Sequence, residues 1–217
     1  MCAAAQDMTV GTREQLAEFL RQNRDAWQLA WKAREDYKLA RIGMACGAWS
    51  AFEMGEQAVE KLLKSYVVFK EPEVKLKALG HDTTACLDAA LRHGLAATDE
   101  LVRTAERLRD LYRRRYPGTP DTPRSLSTGE MHDLDRAMFE IWDNFEPLQP
   151  DYYYVSGLLV DLYGARLQPS ASAEAQAGYL TRANDAYATR RHRLHAGIDL
   201  RLAAWYGMAV QPDGAGG

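Results

Sequence analysis

Residues 51–69, Ala51-Phe52-Glu53-Met54-Gly55-Glu56-Gln57-Ala58-Val59-Glu60-Lys61-Leu62-Leu63-Lys64-Ser65-Tyr66-Val67-Val68-Phe69, decide the fold. Phe52, Val59, Leu62, Leu63, Tyr66 and Val67 recur at helical spacing, so the stretch predicts a long amphipathic helix. Glu56, Glu60 and Lys64 step by four along another face, where opposite charges one turn apart support a helix. Any surface helix carries such charges, and periodicity alone assigns them no chemistry.

On the N-terminal side, Thr12 with Gln15 reads as a capping box. Leu16, Phe19, Leu20, Trp27, Leu29, Ala30, Tyr37 and Leu39 then keep a helical period as far as Gly43 and Gly47, with a bend expected near Arg24. Residues 1–11 have no period and are expected to be disordered. On the C-terminal side, Pro72 disfavours a helical Glu71 and stops the organising helix. After a loop ending at Gly80, Asp82 or Thr83 can cap a helix that buries Cys86, Leu87, Ala90 and Leu91.

Asp99 to Tyr116 predicts a further helix, with Leu101, Ala105, Leu108, Leu111 and Tyr112 inward and Arg103, Arg107, Arg109, Arg113, Arg114 and Arg115 elsewhere on its surface. Pro117 to Pro123 cannot continue it. Ser127 with Glu130 opens a helix carrying Leu134, Met138, Ile141, Trp142 and Phe145. Beyond Pro147 and Pro150, Tyr152-Tyr153-Tyr154 with Leu158, Leu159, Leu162 and Tyr163 suggests another helix, and residues 173–208 read as one long helix. With no alternating strand pattern, the fold expected is all-α: an antiparallel helical bundle over 12–146, a helical extension over 147–208 and a tail over 209–217.

Composition narrows the function classes. The 217 residues are 47% hydrophobic and 26% charged, enough for one well-buried core. A net charge of −3 gives no global pull toward nucleic acid, so phosphate binding needs a local patch such as the α-helical arginines above. Cys2, Cys46 and Cys86 are odd in number and lack CxxC spacing, which argues against disulfides and zinc and for a reducing cytoplasm. No signal peptide and no run of about eighteen apolar residues points to secretion or a membrane. Phosphate-binding loops, HExxH and GxSxG are absent, and no cofactor or metal is expected. His132-Asp133-Leu134-Asp135 does not change this, because adjacent helical positions face different ways.

Three words in order, Glu56-Gln57-Ala58-Val59-Glu60-Lys61-Leu62-Leu63-Lys64, Gly80-His81-Asp82-Thr83-Thr84-Ala85-Cys86-Leu87 and Arg115-Tyr116-Pro117, resemble the HEPN (higher eukaryotes and prokaryotes nucleotide-binding) family. Trp31 to Ala40 and Gly47-Ala48-Trp49 sit where that family opens, so the resemblance spans roughly residues 27 to 146. It implies a helical bundle that binds RNA or nucleotides, and for many members a metal-independent endoribonuclease of a toxin–antitoxin or defence system. It further implies a homodimer and a nucleotidyltransferase-type partner protein.

The family's ribonucleases carry an Arg four to six residues before a His, the Arg to hold phosphate and the His to exchange a proton. Arg190 and His195 have this spacing, although they lie outside the resembling region. The same run, Arg190-Arg191-His192-Arg193-Leu194-His195, also reads as a solvated basic stretch. Arg113, Arg114, Arg115 and Tyr116 resemble a branch that generally lacks the Arg and His pair and looks more like a nucleotide-binding or scaffolding partner. Three cations at a helix end suit its dipole, and Arg forks with a stacking Tyr also suit a phosphate-bearing base. Lys61, Lys64 and His81 join this candidate binding site if their helices converge, while His81 and Asp82 serve equally as helix-capping neighbours. The competing class is a non-catalytic interaction module whose exposed Tyr152, Tyr153 and Tyr154 would bury a partner.

Overall fold

A computed structural model describes residues 11–48, 50–113, 128–157 and 170–206. Among them nine α-helices and no strand occur. They are α1 (Arg13–Gln22), α2 (Arg24–Ala45), α3 (Ala51–Lys70), α4 (Thr83–Arg92), α5 (Asp99–Arg113), α6 (Thr128–Asp143), α7 (Pro150–Ser156), α8 (Ala171–Thr181) and α9 (Asp185–Tyr206). A single 3₁₀ turn, Leu76–Leu79, precedes α4.

The all-α expectation holds, and the organising helix is central: α3 packs against α2, α4, α5 and α6. Its Val59, Leu62, Leu63 and Val67 are fully buried in one core with Tyr37, Leu87, Leu101, Leu134, Met138 and Trp142. Burying such aliphatic side chains stabilises by about 1.5–3 kcal/mol each, which makes this face the main support of the bundle. Gly43 lets α2 and α3 meet, since a Cβ there would lie 2.8 Å from the Ala51 Cβ.

Local signals are realised closely. Gln15 N donates to Thr12 Oγ1 at 3.3 Å and Thr12 N to Gln15 Oε1 at 2.7 Å, closing the capping box. The bend near Arg24 is a break at Asn23, with φ −107° and ψ 37°. Asp82 caps α4, its Oδ1 accepting from Thr84 N at 3.0 Å and Ala85 N at 3.2 Å. Gly11, expected in a disordered start, donates its N–H to Asp151 Oδ2 at 3.0 Å.

Two expectations are corrected. Residues 173–208 are not one helix: the chain turns at Arg182, Ala183 and Asn184, with Ala183 at φ +51°. Asn184 makes the corner, donating to Leu180 O at 3.0 Å at the end of α8 and accepting from Tyr187 N at 2.9 Å at the start of α9. Tyr152, Tyr153 and Tyr154 are not exposed anchors but core residues. Tyr152 packs among Phe19, Trp27, Phe69 and Phe145, and its hydroxyl lies 3.1 Å from Ser65 Oγ. Aromatic bodies with one satisfied polar tip bury well, and here that outweighs any partner surface.

The C-terminal helices therefore pack on the bundle of their own chain, α9 lying along α6 and α7. At Gly197 the contact with Tyr154 is so close that a Cβ would fall 1.9 Å from the hydroxyl oxygen. The expected helix through Leu158, Leu159, Leu162 and Tyr163, the Pro117–Pro123 loop, Ser127, the 209–217 tail and residues 1–10 lie outside the described residues.

Candidate functional site

Glu56, Glu60 and Lys64, spaced to share one face of α3, are not a solvated stripe: they are only 1%, 2% and 6% exposed. Burying charges is costly unless each finds a partner, and α4 with its preceding turn supplies them. Glu60 Oε1 accepts from Lys64 Nζ at 2.6 Å, and Lys64 also donates to the Gly80 carbonyl. Thr83 Oγ1 donates to Glu56 Oε1, and Gln57 Nε2 to Glu56 Oε2 at 3.2 Å. Gly80, at φ +64°, adopts the left-handed turn that presents its carbonyl here.

His81 follows that turn. Its Nδ1 lies 3.3 Å from Glu60 Oε1, yet its side chain is 84% exposed. Glu60 Oε2 is buried without a hydrogen-bond partner. Cys86 lies close by, and burial, helped by Glu60, Glu56 and Asp82 and opposed by Lys64, pushes its thiol up to about 12. It stays protonated at neutral pH and is no nucleophile.

α5 closes the other side. Arg109 Nη1 donates to Thr84 Oγ1 at 3.1 Å, while Nε and Nη2 donate to Asp110 Oδ1 at 3.1 and 3.0 Å. The C-terminal half of α5 is thereby docked at the start of α4. Arg113 ends α5 one helical turn beyond Arg109. The side chain of Arg113, and Arg114, Arg115 and Tyr116 entirely, lie outside the described residues. The structure thus brings Lys64 and His81 together on Glu60, whereas Lys61 turns toward α2 and pairs with Asp36.

Arg190 and His195 have separate surroundings. Arg190 donates from Nε to Asp143 Oδ2 at 2.8 Å and from Nη1 to Ala186 O at 3.0 Å, with its guanidinium carbon 5.6 Å from the Phe139 ring centre. His195 Nε2 lies 2.8 Å from the Tyr187 hydroxyl. Five residues on a helix span about 140° of rotation, so one side chain meets α6 while the other meets Tyr187 of its own helix. Arg193 joins Glu146 and Asp143, and Arg191 and His192 are exposed.

A second polar cluster was not foreseen. Tyr37 Oη donates to Asp135 Oδ1 at 2.6 Å, and Arg41 pairs with Asp135 Oδ2. Arg41 also donates from Nε to Tyr179 O at 3.2 Å and from Nη2 to Arg182 O at 2.7 Å. Asn184 Nδ2 donates to Tyr37 Oη at 3.1 Å. Burial pushes the Asp135 carboxyl up to about 6 although Arg41 beside it favours the anion, and burial likewise raises the Tyr37 hydroxyl well above the ordinary tyrosine range. Only spacing within helices is visible in a sequence, so a pair 94 residues apart gave no signal. Among the described residues no group of His, Cys, Asp or Glu could hold a metal ion, and no helix is long and apolar enough to cross a membrane.

No curated protein and no solved structure matches the chain. A family model does: that of the HEPN domain, over residues 26–142, which contain nearly all of α2, the whole of α3 to α5, nearly all of α6 and the whole Glu56–Glu60–Lys64–His81 cluster. With more than half of 217 residues matched and an all-helical bundle around them, the chain belongs to the HEPN domain family, a family of nucleotide-binding and ribonuclease-type modules.

Proposed function

We propose that this protein binds RNA or nucleotide phosphates at the C-terminal end of α5. The observation that supports the reading is the Arg109–Thr84 contact, which ties the arginine-bearing helix α5 to the start of α4, the helix that follows His81 in sequence. Guanidinium forks suit phosphate oxygens and a tyrosine ring suits a base. Lys64 serves this site by holding Glu60 and Gly80 under His81, and Lys61 by tying α3 to α2. A metal-independent endoribonuclease, with Arg190 as phosphate clamp and His195 as acid or base, extends the reading by family resemblance, as do a homodimer, a nucleotidyltransferase-type partner and a toxin–antitoxin or defence role.

The test is fluorescence anisotropy with a labelled single-stranded RNA and with labelled ATP over a salt series. Replacing Arg113, Arg114 and Arg115 together by Ala should weaken binding at least about tenfold and reduce the RNA salt slope by about 2, since each neutralised phosphate contributes about 0.7. Equal affinity and slope would sink the proposal. Cleavage of an RNA pool in EDTA tests the extension, which requires activity in the wild type and its loss in both Arg190→Ala and His195→Ala.

A further inference from the structure

The connection between α3 and α4 runs backwards along α3. α4 starts beside Glu56, to which Thr83 Oγ1 donates, and ends at His93, whose Nε2 lies 2.7 Å from Oε2 of Glu71, the residue that caps the end of α3. Residues 71–82 therefore return from Glu71 to the level of Lys64 and Glu60, about 10–16 Å back along α3. Most of this strap is exposed, and Val74 and Leu79 pack it on the core. Its backbone bonds, Val74 N to Glu71 O at 3.1 Å, Ala78 N to Lys75 O at 2.8 Å and Gly80 N to Lys77 O at 3.3 Å, close local turns. Polar pins at the two ends attach it to helices: Lys64 on the Gly80 carbonyl at one end, His93 on Glu71 at the other.

The chemistry of the second pin depends on a proton. His93 Nδ1 lies 2.8 Å from the Ala89 carbonyl oxygen in the last turn of α4, and Nε2 faces the Glu71 carboxylate. Both neighbours are acceptors, whereas a neutral imidazole has a single N–H. Both contacts are hydrogen bonds only when the ring is an imidazolium; without its second proton, one becomes lone pair against lone pair. Glu71 is the partner that leaves, because its side chain is 55% exposed and water can replace the ring.

We infer that His93 is a proton-operated clasp, pinning Glu71 to the end of α4 as an imidazolium and, on deprotonation, releasing the start of the strap that leads to His81; the clasp needs no ligand and does not depend on the binding reading above. The Ala89 carbonyl and the Glu71 carboxylate raise the ring above its ordinary value of 6.5, against some desolvation. The charged groups facing it are Glu71 from the end of α3, which favours the proton, and Arg92 from α4, which opposes it. With the folded value above the unfolded one, the clasp is complete below about pH 6.5 and is lost as pH rises through the folded value.

The experiment has two readouts on the full chain, His93→Gln and Glu71→Gln. NMR titration of the His93 ring should give a value above 6.5 in the wild type that falls in Glu71→Gln. Tryptic cleavage after Lys75 and Lys77, both exposed in the strap, is measured at about pH 6 and about pH 8.5 and normalised at each pH to a free peptide of residues 71–82. Normalised cleavage of the wild type should rise about two- to fivefold with pH, the range for a half-exposed ion pair, and both variants should be cut at the higher level at either pH. A ring that titrates at or below 6.5, or alike in Glu71→Gln, overturns the clasp. So does strap cleavage that does not rise with pH in the wild type, or that rises equally in His93→Gln.

Discussion

The two buried polar clusters use similar residues to opposite ends. Around Asp135, the groups of Tyr37, Arg41 and Asn184 are committed to one another and to backbone carbonyls, and both members of the Arg41–Asp135 pair are 1% exposed. Around Glu60 the network starts as deeply but runs out to an imidazole in water, with one carboxylate oxygen unpaired. A closed network fixes which elements meet, here α2, α6 and the α8–α9 corner. An open one leaves a titratable group where a ligand can reach it. The difference therefore separates a structural device from a candidate site on geometry alone.

The largest effect that sharpens this comparison comes from Arg41→Ala. It strands Asp135 and two backbone carbonyls, and loss of one partner of a buried pair costs about 3–5 kcal/mol. Urea unfolding at pH 7 should show this, and a change below about 1 kcal/mol would mean that the cluster is no clamp.

An intermediate effect follows from the titration of Asp135. In the unfolded chain its carboxyl has the ordinary value of 3.8, and in the folded protein it titrates at about 6. Between these values the folded state binds the extra proton, so this group's contribution to stability falls as pH rises from about 4 to about 6. The loss is on the order of 2–3 kcal/mol. Thermal melts at pH 4.5 and pH 7 should show the wild type losing stability relative to Asp135→Asn as pH rises; a gap that stays constant contradicts the assignment. The penalty of Arg41→Ala should be smaller below about pH 6 than at pH 7, because the carboxyl there carries a proton and needs no cation.

The smallest expected effect is at the open end of the other cluster. His81→Ala removes an exposed ring and should change stability by no more than about 0.5 kcal/mol in the same urea experiment. A cost comparable to that of Arg41→Ala would break the comparison, making His81 part of the frame.

What could be read from the chain follows the range over which each signal acts. Helix periods, the Thr12–Gln15 box, the Asp82 cap and the break at Asn23 depend on neighbours within about one turn, and all were legible. So was the family, carried by words on α3 and before α4. The α8–α9 corner escaped because neither Gly nor Pro marks it; Asn184 caps it from inside what looked like one apolar period. The tyrosines at 152–154 look equally suited to a core or an interface until Phe19, Phe69 and Phe145 are seen around the first of them. The site was legible in part: Glu56, Glu60, Lys64 and His81 stand in the family words, but burial and the sharing of Glu60 belong to packing between helices.

Arg41 reaches the α8–α9 corner through the carbonyls of Tyr179 and Arg182, not through their side chains. An anchor that recognises only backbone is indifferent to what those positions carry, and both are exposed. The corner is accordingly a place where this protein can accept new side chains, a fluorophore or a cross-linker while the attachment beneath stays intact, provided that Asn184 is left in place.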